Sequence, residues 1–154
     1  DITIGVERKN DFSSIYAEVC HELAHAAHFS KVGTGYWNNN IIYVLESFIS
    51  SGVMDYGDGK GRNAGYCEVS EMWAYYLSSR MWQDRYGGDY PAFGTSFWFY
   101  PQIFRYMEQK GFEPWQIFSV MDDDINSRDT LRRALMAAYP EYSDYVELIF
   151  NRYM

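Results

Sequence analysis

No run of the chain is apolar for long enough to span a bilayer, and no secretory signal peptide stands at its start. Positive charge is short as well: 13 Lys and Arg face 21 Asp and Glu, a formal net charge of −8. That balance opposes binding to a nucleic-acid backbone, which needs clustered cations, and opposes docking on anionic lipid. Cysteine is nearly missing, and two thiols, Cys20 and Cys67, define no disulfide framework. Internal repeats and low-complexity linkers are absent. Histidine is scarce too: the three residues are His21, His25 and His28. The first residue is Asp1 and not Met, which leaves room for a removed leader or upstream region.

What is present suits one globular domain spanning 1–154. At 154 residues and 47% hydrophobic, the chain can bury a core without metal or disulfide staples. Five Trp, 15 Tyr and 10 Phe exceed the needs of a core and leave rings for a cleft or an interface. The alternating piece Ile2–Val6 reads as a strand. Asp11, Ser13 and Ser14 offer caps for a helix to about Ser30, with Ile15, Val19, Leu23 and Ala26 as its buried stripe and Gly33 or Gly35 as its stop. Ile41–Ile49 reads as a second helix ended by Gly52. Asp55–Gly65 reads as an irregular loop whose acids do not match the EF-hand spacing. Further helices are expected over Glu68–Tyr86, Phe97–Lys110, Pro114–Met121, Arg128–Tyr139 (capped by Ser127) and from Tyr142 onward. Asp122-Asp123-Asp124 reads as a solvated turn, with a cation site as the alternative. The fold class is mainly α, with at most a short N-terminal strand element.

His21-Glu22-Leu23-Ala24-His25 matches H-E-x-x-H inside the first of these helices. Residues four apart lie one turn above each other on nearly one face. Two imidazoles there converge on a single Zn²⁺. Glu22 then faces a zinc-activated water as general base. The reading is a zinc-dependent hydrolase with one zinc per chain. A catalytic zinc takes a third protein ligand. Position 31 is Lys, and no histidine follows His28, so a later carboxylate or thiol must serve.

With Glu71 and Ala74 in Glu68-Val69-Ser70-Glu71-Met72-Trp73-Ala74-Tyr75, the chain resembles the gluzincin zinc peptidases. The resemblance implies a zincin-like helical domain, a peptide or protein substrate, and His21, His25 and Glu71 as metal ligands. In that group an Asp follows the small residue and orients the first zinc histidine; here position 75 is Tyr. Glu68, one turn before Glu71, is a competing ligand or the missing second carboxylate. Two acids in the first turn of a helix are also simply favourable. His28 projects to the side of His21 and His25, as a substrate contact, an alternative ligand, or a helix-end residue beside free carbonyls. Gluzincins commonly add a Tyr or His to stabilise the oxyanion; Tyr75, Tyr76 and Tyr100 are candidates.

If the two ligand helices meet, Cys20 and Cys67 approach as well. Either a disulfide clamps the helices, which implies an oxidising compartment such as the cell envelope or exterior, or both are buried thiols. About twenty residues precede His21, too few for the sheet that precedes the active-site helix in zincin folds. The chain is then a minimal helical zincin or a piece lacking an upstream region. Two other functions compete: a non-catalytic zincin-like module that binds glycan or protein, and a structural zinc closed by four protein ligands.

Overall fold

Two helices that cross the molecule side by side set the position of every candidate ligand. The computed structural model describes residues 11–52 and 56–153. The expected strand at Ile2–Val6 lies outside the described residues. The described residues are mainly helical and contain no strand.

Helix α1 runs Phe12–Ser51 and begins at Asp11, whose carboxylate accepts the Ser14 N–H at 3.1 Å. Gly33 (φ 76°, ψ −177°) breaks it into two arms. That backbone conformation is open essentially to glycine alone. The break falls where a stop was expected, but the helix resumes at once instead of waiting until Ile41. Gly52 closes the second arm, its N–H reaching Phe48 O at 2.8 Å.

The buried face of the first arm is Ala17, Cys20, Ala24, His28 and Val32. This corrects the expected stripe: Leu23 is 51% exposed, Ala26 is exposed, and Ile15 and Val19 are only half-buried. The period is right and the phase is off by about one residue, roughly 100° of helix rotation. Small side chains on the inner face let α1 approach α2 closely, and the large aliphatic Leu23 is left outside.

Helix α2, Ala64–Tyr86, is the centre of the fold. Cys67 through Ala74 are all buried, so this stretch has no solvent face. It starts one turn earlier than expected. Gly65 is admitted into it because a Cβ there would lie 2.0 Å from the Asn126 carbonyl oxygen.

The remaining helices pack on the other side of α2. They are α3 (Gln102–Gln109), α4 (Pro114–Ser119), α5 (Arg128–Ala138), a short 3₁₀ turn (Pro140–Tyr142) and α6 (Ser143–Asn151). Helix α3 begins five residues later than expected, with Pro101 as its cap, so residues 87–101 are loop. Helix α5 is capped by Ser127, whose side chain accepts the Thr130 N–H at 3.2 Å. The core between these helices and α2 holds Met72, Tyr76, Phe104, Ile117, Leu135 and Phe150. Asp122, in the acidic turn, pairs with Lys31 of α1 and ties the two sides together. No helix among the described residues is long and apolar enough to cross a membrane.

Candidate metal centre

The first arm of α1 runs antiparallel to α2, which places the H-E-x-x-H turn opposite Glu71. His21 Nε2 and His25 Nε2 are 3.0 Å apart. His21 Nε2 lies 3.3 Å from Glu71 Oε2, and His25 Nε2 lies 3.3 Å from Glu71 Oε1. Among the described residues these three form the one group of His, Cys, Asp or Glu with metal-binding proximity.

The donors suit a small divalent ion. Bonds of about 2.0–2.1 Å in a tetrahedron separate neighbouring ligands by about 3.3 Å. Three acceptor-bearing groups held this close in a buried site are costly unless a proton or a cation lies between them. Burial alone would raise the Glu71 carboxyl, but the His25 and His21 imidazoles bring it down to about 2. Burial opposes the charged form of His25, yet the Glu71 and Glu22 carboxylates raise its pKa. The site therefore favours a carboxylate facing positive charge. Neither cysteine joins the cluster.

Among the described residues, Nδ1 of His21 and Nδ1 of His25 have no hydrogen-bond partner. Aromatic edges hold the rings instead. Tyr75 packs against His21 with ring centroids 4.4 Å apart, and Trp37 against His25 at 5.3 Å. Tyr75 thus touches the histidine that an Asp would orient in gluzincins, by a ring and not by a carboxylate.

The competing acid, Glu68, is engaged elsewhere. Its Oε2 accepts the Arg128 N–H at 3.1 Å and its Oε1 pairs with the Arg128 guanidinium, clamping the start of α5 to α2. His28 is also outside the cluster. It is fully buried between Tyr36 and Trp37, not exposed at a helix end. Burial, helped by His25 and Lys31, lowers its pKa to about 3. His28 is a neutral packing residue.

Of the two alternatives for the cysteines, the structure shows the buried thiols: Cys20 and Cys67 are both buried and free. His21 sits against Tyr75, so Cys20 is level with α2 about eight residues beyond Cys67, roughly 12 Å along the axis. A disulfide spans at most about 7 Å between Cα atoms.

A cleft of about 440 Å³ opens beside the cluster. His21 and Glu22 line it, with Tyr56 and Tyr75 opposite. The Tyr56 and Tyr75 hydroxyls share a 3.0 Å hydrogen bond. Burial raises the Tyr75 pKa, reinforced by Glu71 and Glu22 and partly offset by the bond to Tyr56, so the hydroxyl stays protonated. Of the three tyrosines considered for the oxyanion, only Tyr75 faces this cleft. Tyr76 is buried in the core and reaches Glu108, and Tyr100 lies against Tyr153 and Arg128. Tyr56 and Trp37 were not foreseen. Nothing in their local spacing marks them: Tyr56 comes from a segment distant in sequence, and Trp37 meets His25 only because α1 breaks at Gly33. No protein-family model, no curated protein and no solved structure matches the chain.

Proposed function

We propose that the chain is a zinc-dependent hydrolase, a metallopeptidase that cleaves peptide bonds. The carrying observation is the convergence of His21, His25 and Glu71 within 3.0–3.3 Å at a cleft that Glu22 also lines. His21 and His25 would hold the ion through Nε2, and Glu71 through its carboxylate. Zinc, when bound, supplies a Lewis acid that polarises a carbonyl and acidifies water. Glu22 lies on the exposed side of α1 beside His21. Its carboxylate takes a proton from the attacking water and returns it to the amine as the C–N bond breaks. Tyr75, protonated and facing the cleft, is placed to donate a hydrogen bond to a carbonyl oxygen gaining charge. The buried aromatic contacts on both imidazoles restrain their rotation and so favour a preset ligand geometry.

The test combines metal analysis with one substitution. Purified protein is expected to carry about one zinc per chain. Glu22→Gln should keep that zinc while kcat/KM falls by about 10²- to 10⁴-fold. A fully active Glu22→Gln protein, or one that takes up no zinc, overturns the proposal.

A further inference from the structure

The cleft beside His21 and Glu22 is lined mainly by apolar side chains, with Ser14, Glu18 and Ser78 as further polar lining residues. Ala17 comes from α1, Tyr56 from the segment before α2, Tyr75 from α2, and Phe93 and Phe97 from the 87–101 loop. The rings brace one another: Tyr56 and Phe97 have centroids 4.8 Å apart, and Tyr75 and Phe97 5.9 Å. The loop is pressed onto α2 at Gly94 (φ 72°), where a Cβ would come within 2.4 Å of the Tyr75 ring. These walls are therefore already assembled. Among the described residues no Lys or Arg lines the cleft, while the Glu18 and Glu22 carboxylates do. An acidic side chain would enter without a partner and against like charge. At about 440 Å³ the space is in the range of small-ligand pockets, enough for one large side chain and its flanking backbone.

We infer that this cleft is a specificity pocket for a large aromatic or aliphatic, non-acidic side chain next to the scissile peptide bond. The inference rests on the metallopeptidase reading. Hydrolysis there breaks the amide C–N bond, and water supplies the hydroxyl to the carbonyl carbon and the proton to the amine. The aromatic walls bury the side chain, and Glu22 lies beside the bond that follows.

The zinc-loaded protein is assayed on short blocked peptides of Ala and Gly with one variable central residue, Phe, Leu, Ala, Lys or Asp. Products are located by mass spectrometry. kcat/KM is expected to be about 30-fold higher or more for Phe and Leu than for Ala, within the range a hydrophobic pocket discriminates, and lowest for Asp. Ala17→Leu, which projects into the cleft, should lower the Phe-to-Ala ratio tenfold or more. In parallel, calorimetry on zinc-loaded Glu22→Gln measures binding of the uncleaved peptides, with the same order expected. Cleavage with a flat preference overturns the pocket and leaves the peptidase reading standing. Graded binding that favours Phe and Leu, without cleavage by the wild type, supports the pocket and overturns the peptidase reading. Neither cleavage nor graded binding overturns both.

Discussion

Two buried acids one turn apart on α2 have opposite assignments, and their partners explain why. Glu71 faces two imidazoles, while Glu68 faces Arg128. Glu71→Gln should cut zinc affinity by 100-fold or more, measured by competition with a chromophoric chelator, because one charged ligand is lost. Glu68→Gln should leave zinc affinity within a few-fold. It should lower unfolding stability by about 2–3 kcal/mol in a urea titration, since breaking a buried pair strands a charge, and Arg128 is open enough to water to soften the loss. Equal loss of zinc in both variants would refute the assignment. His28 supplies a pH prediction. Its pKa falls from an ordinary 6.5 to about 3 in the folded chain. Below pH 6.5 the unfolded chain takes up a proton that the folded chain refuses, so stability drains away as pH falls toward 3. Replacing His28 by Phe, which keeps a ring against Tyr36 and Trp37, should remove about 2 kcal/mol of the difference in stability between pH 7 and pH 5. Denaturant midpoints at the two pH values, compared between the proteins, read this directly.

At the scale of elements, two glycines shape the site for different reasons. Gly33 has open space around a would-be Cβ, so only its backbone is demanding. Gly33→Ala should cost about 1–3 kcal/mol through strain at positive φ. Gly65 has ordinary helical backbone, but a Cβ there would meet the Asn126 carbonyl. Gly65→Ala should cost about 3 kcal/mol or more, at or beyond the upper end of overpacking penalties, because backbone must move. Thermal unfolding followed by circular dichroism ranks the two, and a milder Gly65→Ala would contradict the close approach of α2 to the α5 cap. The kink at Gly33 also matters to the cluster. It turns the second arm back so that Trp37 reaches His25 and Tyr36 donates to the Tyr66 carbonyl at 3.3 Å.

For the whole molecule, the proposed ligands come from two helices separated in sequence by the length of an intervening arm and loop. An ion that binds only when α1 and α2 are docked stabilises the entire fold. At free zinc 100 times its dissociation constant, the folded state should gain about 2.7 kcal/mol. Calorimetric scans with and without zinc should show the rise in Tm, a chelator should abolish it, and His21→Ala should show none. A zinc-independent Tm in the wild type would count against metal binding between the helices. The central position of α2 fits this role. It shares the H-E-x-x-H arm on one side and the apolar core on the other, so a perturbation at Glu71 reaches both.

Periodicity, caps and glycine stops made the helices legible from residues alone, including the Ser127 cap and the Gly33 break. The five-residue motif named His21, Glu22 and His25, because their relation lies within one helical turn and depends only on local geometry. Tertiary structure decided the rest. Which face of α1 is buried depends on how closely α2 approaches, and small residues outweighed Leu23 there. Whether Glu68 or Glu71 meets the histidines depends on where Arg128 stands, sixty positions away from Glu68. The cysteines lie beside both ligand segments in the sequence but at different levels along α2, so nearness in sequence did not become a bond. Tyr56, Tyr75 and the Phe93–Phe97 wall come together only through the packing of distant segments, and Trp37 meets His25 only through the break at Gly33. Contacts made within a turn can be read from spacing, whereas contacts made across the fold are set by the packing of the whole chain.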